Sequence, residues 1–186
     1  QLRWKPSDFK PIIKGVEALL RWQHPERGLL QPTQFIDYIE NSPLIHDVTL
    51  EMLDMALSQC RQWHAGGLCI SVSVNLSARS LTQAGFADAI VERVNASSIA
   101  PQYVVLEVTE TAIMADLGRA LSTLNRLRLK GFGLSIDDFG TGFSSMQQLS
   151  QAPFTELKID RAFVHQAHER PHLKIMLESA IEMARK

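Results

Sequence analysis

The sequence has little cysteine, almost no net charge and no long apolar run. Its two cysteines, Cys60 and Cys69, form neither a Cys-x-x-Cys pair nor a cluster with histidine. This excludes the usual zinc-site spacings and fits free thiols in a reducing compartment. The 19 basic and 20 acidic residues give a formal net charge of −1, so no broad field favours nucleic acid or an anionic membrane. A phosphate-bearing ligand therefore has to be held by a local site.

The chain also lacks the features that would divide it or insert it into a bilayer. No stretch of about 18 apolar residues occurs, and the first residues lack the apolar core of a signal peptide. We therefore expect a cytoplasmic segment, either free or part of a membrane-tethered protein. With 186 residues, 45% of them hydrophobic, and no linker, residues 1–186 fit one globular domain or most of one.

One apolar run stops abruptly at two adjacent carboxylates, Asp137 and Asp138, and becomes a small-residue loop over residues 139–145. Successive strand residues point to opposite faces, so both side chains are accessible only where the strand gives way to the loop. Carboxylate oxygens select Mg²⁺, Mn²⁺ or Ca²⁺, and an adjacent pair suits a site with two ions. The alternative interpretation is a solvated turn, because Asp-Asp-Phe-Gly is also ordinary loop composition.

A second acid, Glu17, lies at the centre of a mostly apolar run that ends near Arg21. A buried carboxylate without a partner is costly, so Glu17 is either neutralised by Arg21 or coordinated to a metal ion. Charged or amide side chains also stand at or near the ends of other predicted strands: Asn75, Glu107, Asp138 and Lys158.

Predicted strands and helices alternate along the chain. The patterns predict strands over residues 2–4, 12–20, 68–75, 103–110, 134–138 and 154–160, and helices from Gln34 and over 44–64, 86–94, 116–130 and 169–186. Thr33 is the expected N-cap of the first helix, and residues 24–32 are expected to be loop. Such alternation indicates parallel strands joined by helical crossovers, and polar residues at the strand ends match the functional face of a (β/α)8 barrel.

Five short blocks carry a family resemblance: Glu-Ala-Leu at 17–19, Val-Asn-Leu-Ser at 74–77, Leu-Glu-Val-Thr-Glu at 106–110, Asp-Asp-Phe-Gly-Thr-Gly at 137–142 and Leu-Lys-Ile-Asp at 157–160. In order and spacing they resemble the EAL domain family of cyclic-di-GMP phosphodiesterases. The resemblance implies an α/β fold, a TIM-like (β/α)8 barrel of EAL type. It also implies hydrolysis of one phosphodiester bond of cyclic-di-GMP to linear pGpG with two divalent ions, Mg²⁺ or Mn²⁺.

The resemblance also implies residue roles. The first ion would be held by Glu17, Asn75, Glu107 and Asp137, of which Asp137 is shared, and Asp138 would contribute to the second ion. Lys158 would position the attacking water or steady the developing charge. Leu19, Arg21 and Asp160 would contact the substrate, with Asp160 at a guanine edge. Glu110 would hold the loop at 139–145, which in the family couples the metal site to a homodimer interface.

Some of these roles have a structural alternative, and the chain departs from the family pattern in places. Arg21 either contacts phosphate or pairs with Glu26, and Asp160 either meets guanine or caps the next helix. Lys5 stands where the family usually has a ligand-contacting glutamine. The family's strand with an Ala-Glu-Gly-Val-Glu block, whose first glutamate is catalytic, and its closing strand have no counterpart before Lys186. We therefore expect a barrel that lacks its last two strands, with six strands and two open edges.

Two other functions remain open at this point. The first is a non-catalytic cyclic-di-GMP receptor or scaffold that uses the EAL fold, which the missing glutamate favours and the intact metal-ligand positions oppose. The second is an unrelated TIM-barrel enzyme acting on another phosphate ester, since this fold hosts many chemistries. Regulatory domains outside residues 1–186 are expected by resemblance in either the catalytic or the receptor case.

Overall fold

The computed structural model describes residues 2–4, 11–140 and 152–184. Strands in these ranges are β1 (Leu2–Trp4), β2 (Pro11–Ile13), β3 (Gly15–Ala18), β4 (Trp22–His24), β5 (Gly28–Leu30), β6 (Ser71–Asn75), β7 (Val104–Thr109), β8 (Gly133–Phe139) and β9 (Glu156–Ile159). Five of them pair in parallel in the order β3-β6-β7-β8-β9, and this sheet is curled into a half-barrel. The remaining four form two separate antiparallel pairs, β1 with β2 and β4 with β5.

Helices connect β3 to β6, β6 to β7 and β7 to β8, as parallel pairing requires. The α-helices described are α1 (Ile36–Glu40), α2 (Leu44–Ala65), α3 (Ala78–Thr82), α4 (Phe86–Ala96), α5 (Glu110–Ala115), α6 (Leu117–Leu129), α7 (Arg161–Glu169) and α8 (Pro171–Ala184). Two short 3-10 helices lie at Pro32–Gln34 and Pro101–Tyr103. The predictions of long helices at 44–64, 86–94 and 116–130 are confirmed within a few residues of their ends.

The two faces of the sheet differ in character because strand residues alternate. One face, here called the outer face, carries Val74, Leu106 and Leu134, which are fully buried in a core shared with α2, α4 and α6. The opposite, inner face carries small or polar residues in register from strand to strand: Glu17, Ser73, Asn75, Glu107, Thr109, Ser135, Asp137, Glu156 and Lys158. The apolar core therefore fixes the sheet, while the inner face is left for polar chemistry.

The described sheet has five strands where the sequence indicated six. Leu2–Trp4 pairs only with Pro11–Ile13, antiparallel and apart from the sheet. The apolar run predicted as one strand over 12–20 is divided at Lys14, whose carbonyl accepts a hydrogen bond from Ser71 N. Its second half, Gly15–Ala18, enters the sheet beside Ser71–Asn75. Strand propensity marks both halves as extended but does not select their partners.

The predicted loop at residues 24–32 contains a β-hairpin instead. Trp22–His24 pairs antiparallel with Gly28–Leu30, and His24 Nδ1 accepts hydrogen bonds from the backbone N–H groups of Glu26 and Arg27 at 3.1 and 3.2 Å. Gly28 closes the turn with φ +70°, a conformation that glycine adopts at little cost. The two strands have three residues each, too few to produce a readable alternation in the sequence.

One predicted helix boundary is wrong, and one helix was not predicted. The N-cap of the first short helix is Gln31 rather than Thr33, because Gln34 Oε1 accepts a hydrogen bond from Gln31 N at 2.9 Å, and the helical turn that follows is 3-10. The helix predicted over 169–186 is confirmed as Pro171–Ala184, and a separate helix that was not predicted, Arg161–Glu169, precedes it. Proline is favoured at the first position of a helix because the N–H that it lacks would have no acceptor within the helix.

Candidate metal centre

The acidic residues converge because the carboxyl ends of parallel strands lie at one edge of the sheet. Glu17 comes from β3, Glu107 from β7 and Asp137 from β8, and all three stand on the inner face. Each offers one carboxylate oxygen, and these three oxygens lie within 4.8 Å of one another. The prediction that strand-end carboxylates gather at one site is thus reproduced for three of the four proposed acidic ligands.

Lys158 places a positive charge among these carboxylates. Its ammonium donates a hydrogen bond to Glu107 Oε2 and lies 3.4 Å from Glu17 Oε2 and 3.8 Å from Asp137 Oδ2. Asn75 Nδ2 adds a hydrogen bond of 2.9 Å to Glu17 Oε1. Five strands of the half-barrel therefore contribute to one cluster, and the partner of Glu17 is Lys158 rather than Arg21.

Burial and the neighbouring charges act in opposite directions on the pKa values of Glu107 and Lys158. Desolvation raises the pKa of Glu107, which is fully buried, although hydrogen bonds from Lys158 and Ser73 act in the opposite direction. Burial by itself lowers the pKa of Lys158, but its hydrogen bond to Glu107 and the charges of Glu107, Asp137 and Glu17 more than offset this, so that pKa is raised overall. Lys158 is therefore an ammonium ion at neutral pH and compensates the negative charge of the cluster.

The donor set fits a hard divalent cation. Three carboxylates from three strands offer oxygen atoms, and Asn75, whose Nδ2 donates to Glu17, would add its amide oxygen; oxygen ligands suit hard divalent cations such as Mg²⁺ or Mn²⁺. The cluster is built to hold positive charge, since it already surrounds the Lys158 ammonium. The residues that would hold an ion here are Glu17, Asn75, Glu107 and Asp137.

Asp138 stands next to this cluster but not in it. Its backbone has φ +54° and its N–H donates to Asp137 Oδ1 at 3.0 Å, so the chain turns sharply between the two aspartates. Desolvation and the neighbouring charges of Asp137 and Asp160 raise the pKa of Asp138. Asp137 therefore lies inside the cluster, and Asp138 lies beside it.

Glu110 connects the end of β8 to helix α5. Its side chain is almost fully buried at the first residue of that helix, and Oε2 accepts a hydrogen bond of 3.1 Å from Gly140 N. Gly140 immediately follows β8 and starts the segment predicted to reach the dimer interface. Residues 141–145 of the predicted loop lie outside the described residues. The contact between Glu110 and Gly140 is at its near end.

Gly140 itself is a position where a side chain is not tolerated. Its φ is +101°, and an added Cβ would lie 2.5 Å from Phe163 Cγ. We expect Gly140→Ala to lower the free energy of unfolding by about 2–4 kcal/mol, partly from backbone strain and partly from displacing the ring. Urea unfolding of the variant and the wild type measures this difference.

Gly118→Ala is the matched control, because Gly118 has no positive φ and an added Cβ would meet no atom within 4 Å. It lies in the first turn of helix α6, where alanine is expected to raise stability by roughly 0.5 kcal/mol. Similar unfolding midpoints for the two variants would show that the contact between Gly140 and Phe163 is not tight.

The three residues assigned to substrate contact lie at the same edge of the sheet, with different local roles. Arg21 follows the end of β3 by three residues and is exposed, with Nη1 donating to Leu20 O at 2.6 Å. The strand predicted to reach residue 20 ends at Ala18, so Arg21 lies outside it. Leu19 is 57% exposed just beyond the strand. Asp160 caps Arg161–Glu169, since Oδ1 accepts from Ala162 N at 2.8 Å and Phe163 N at 3.0 Å.

Sequence reasoning missed the serines of the inner face. Ser73 approaches Glu107, and Ser135 is fully buried directly opposite Glu107 on the neighbouring strand. The available signal was the strict alternation of Ser-Val-Ser-Val-Asn at 71–75 and Leu-Ser-Ile-Asp at 134–137. In each run the small polar residues share a face with a proposed metal ligand.

A family model described as "EAL domain" matches residues 7–186. The chain belongs to the EAL domain family. Among relatives of this EAL domain is the bifunctional diguanylate cyclase/cyclic di-GMP phosphodiesterase MucR of Pseudomonas aeruginosa, 44% identical over 172 residues, which are 90% of the chain and 25% of MucR. Cyclic di-GMP phosphodiesterase PdeR of Escherichia coli is 32% identical over 172 residues, 92% of the chain and 26% of PdeR. The EAL domain thus spans about a quarter of the length of these relatives.

Solved structures place the same EAL domain in a known fold. The PaMucR phosphodiesterase in a c-di-GMP complex matches with a TM-score of 0.82 and 39% identity, covering 91% of this chain and 69% of that one. The FimX EAL domain, at 21% identity, shares the fold with a TM-score of 0.79 and coverages of 89% and 66%. The predicted fold class is therefore confirmed as a TIM-like barrel of EAL type, of which the described residues form a five-stranded half-barrel.

Proposed function

We propose that this EAL domain hydrolyses one phosphodiester bond of cyclic-di-GMP to give linear pGpG, using two divalent ions, Mg²⁺ or Mn²⁺. The observation that carries the proposal is the all-oxygen cluster of Glu17, Glu107 and Asp137 around Lys158, in a domain whose relatives are named cyclic di-GMP phosphodiesterases. The metal-ligand residues that the family resemblance implies are all present, which favours catalysis over a receptor role.

Each side chain has a definite task in this reaction. Glu17, Asn75, Glu107 and Asp137 would hold the first ion, and Asp137 together with Asp138 would serve the second. The chemistry that such ions supply is activation of a water molecule and neutralisation of phosphoryl charge. Lys158, kept protonated by the carboxylates around it, orients the attacking water and steadies negative charge on the phosphoryl oxygens.

The remaining residues bind the substrate and set the site. Leu19 and Arg21 lie beyond β3 at the same edge as the acids, where Leu19 packs against the nucleotide and the Arg21 guanidinium meets a phosphate. Asp160, beyond β9, accepts from a guanine edge. Glu110, through its hydrogen bond from Gly140 N, holds the start of the loop at 139–145, which couples the metal site to the dimer interface.

The wider setting of the domain is proposed from the same family membership. The EAL domain pairs with a second copy through the loop at 139–145. Regulatory domains outside this chain control it in the cytoplasm. Of the helices in the described ranges, none is long and apolar enough to span a bilayer.

The test is hydrolysis of cyclic-di-GMP by the purified full-length protein with Mn²⁺ or Mg²⁺, with products separated by liquid chromatography. We expect one pGpG per cyclic-di-GMP consumed, no product in EDTA, and no product from Glu17→Gln under any condition. Tight binding of intact cyclic-di-GMP without pGpG in either metal would instead establish the receptor function.

A change at Asp160 separates its capping role from substrate binding. Serine also caps helices, so Asp160→Ser is expected to keep the free energy of unfolding within a few tenths of a kcal/mol, whereas Asp160→Ala costs about 1 kcal/mol. Loss of the charged acceptor raises KM for cyclic-di-GMP about tenfold or more in both variants. Steady-state kinetics together with urea unfolding measure the two effects. An unchanged KM in Asp160→Ser would leave capping as the whole role of this residue.

A further inference from the structure

The turn of the β4–β5 hairpin is closed by a side chain. His24 Nδ1 accepts hydrogen bonds from Glu26 N at 3.1 Å and from Arg27 N at 3.2 Å. A backbone N–H can only donate, so Nδ1 carries no proton and the ring proton lies on Nε2. Asn and Asp side chains stabilise turns in the same way, by accepting backbone N–H groups two and three residues further along the chain. His24 therefore acts as a turn acceptor.

The His24 ring also begins a series of aromatic contacts that leads to helix α1. It meets Trp22 on the same strand edge to face, with ring centroids 4.8 Å apart. Trp22 in turn meets Phe35 at 5.6 Å, and Phe35 is buried directly before α1. Rings in edge-to-face contact attract one another. The turn, β4 and the start of α1 are therefore connected through three rings.

The hairpin joins two walls of a cavity at the carboxyl edge of the sheet. This cavity of about 690 Å³ is lined by Leu19 and Leu20 before the hairpin, by Pro32 and Ile36 after it, and by the proposed metal ligand Asn75. The chain thus leaves the cavity, forms the hairpin and returns to the opposite wall. The conformation of the hairpin therefore sets the spacing of these two walls.

Arg21 is held by the same hairpin. It lies three residues beyond the end of β3 and directly before Trp22, the first residue of β4. Trp22 pairs with Leu30 across the base of the hairpin, so the backbone of Arg21 is fixed on both sides. Its side chain is exposed. A guanidinium on a backbone that is already fixed loses less conformational freedom when it binds a phosphate.

We propose that His24 is a positioning residue for substrate binding, which closes the hairpin through Nδ1 and so holds Arg21 and the cavity beside Asn75 in their binding geometry. The inference rests on the proposed function in so far as Arg21 binds a phosphate of cyclic-di-GMP. His24 acts through the backbone rather than by touching the substrate. Its loss is therefore expected to weaken substrate binding and to leave the chemical step unchanged.

The experiment compares three variants with the wild type in the full-length protein. His24→Ala removes both the acceptor and the ring, His24→Phe keeps a ring without an acceptor, and His24→Asn keeps an acceptor without the ring. The first readout is hydrogen–deuterium exchange of a peptide that covers the hairpin, measured by mass spectrometry. We expect exchange about tenfold faster in His24→Ala and His24→Phe, and close to the wild-type rate in His24→Asn, because the two hydrogen bonds protect the turn.

Substrate binding supplies the second readout. With Mn²⁺, KM for cyclic-di-GMP is expected to rise about fivefold in His24→Ala and His24→Phe with kcat unchanged, and His24→Asn should restore KM. The Kd of intact cyclic-di-GMP in EDTA, measured by titration calorimetry, should change by the same factor. His172→Ala is the control, because His172 is exposed on α8 and is expected to alter none of these values.

The outcomes separate this inference from the proposed function. Wild-type exchange and KM in His24→Phe but not in His24→Asn would overturn the inference, because ring packing rather than the acceptor would then close the hairpin. Unchanged KM and Kd in His24→Ala would also overturn it, as would a wild type that does not bind cyclic-di-GMP. A wild type that binds cyclic-di-GMP without forming pGpG, with Kd raised in His24→Ala and restored in His24→Asn, would support the positioning role while refuting hydrolysis.

Discussion

Replacing Glu107 by glutamine is expected to lower kcat for cyclic-di-GMP hydrolysis by about 10³-fold, equivalent to roughly 4 kcal/mol of transition-state stabilisation. Glutamine has nearly the same shape but no charge, so a metal ligand is weakened without a cavity being opened. The variant also removes the nearest anion from the Lys158 ammonium, so that Lys158 is no longer held over the phosphoryl site. Both consequences act on the chemical step rather than on substrate binding.

The measurement is kcat and KM at several Mn²⁺ concentrations, with pGpG quantified by chromatography. Raising Mn²⁺ should recover only part of the lost rate, because occupancy can be restored but the charge and the position of Lys158 cannot. Glu178→Gln is the control, since Glu178 is 64% exposed on the last helix and far in sequence from the cluster. A rate within tenfold of wild type at saturating Mn²⁺ would remove Glu107 from the metal ligands.

The sequence was sufficient for the positions of the acids because their placement follows from a rule of topology. Glu17, Glu107 and Asp137 each sit near the end of a predicted parallel strand, and the carboxyl ends of such strands meet at one edge. The alternation of small polar and apolar residues then indicates which face they share. For these residues local pattern and global fold agree, which is why the prediction of a shared site succeeds.

Other features depend on partners that no local pattern identifies. Lys158 contacts Glu17, which lies 141 residues away in the sequence. The apolar run at 12–20 contains no signal that its first part pairs outside the parallel sheet. The hairpin after Arg21 depends on the His24 side chain, which accepts hydrogen bonds from two backbone N–H groups. This differs from the Gly, Asn, Asp and Pro signals by which turns are usually predicted. Asp160 could be assigned to a cap or to the ligand from sequence, and the structure supports the cap by two hydrogen bonds.

Replacing Lys158 by methionine is expected to lower the thermal stability of the domain in the absence of metal. Without metal, Lys158→Met leaves three carboxylates within 4.8 Å of one another and removes their shared cation. Breaking a buried ion pair by removing one partner costs about 3–5 kcal/mol. Glu17 and Asp137 keep 29% and 25% of their side-chain exposure, so the lower end of this range applies. For a chain of this size, the melting temperature in EDTA should fall by roughly 6–12 °C.

Thermal unfolding in EDTA and in Mn²⁺ tests this expectation, because the carboxylates freed from Lys158 retain their affinity for a cation. Mn²⁺ should therefore raise the melting temperature of Lys158→Met by more than it raises that of the wild type, while hydrolysis stays abolished. Lys174→Met is the control, since Lys174 is 68% exposed and lies 4.0 Å from Glu178 in a surface pair worth at most about 1 kcal/mol. Equal melting temperatures of Lys158→Met and wild type in EDTA would mean that the three carboxylates do not need the ammonium. The charge balance inferred for the cluster would then be wrong.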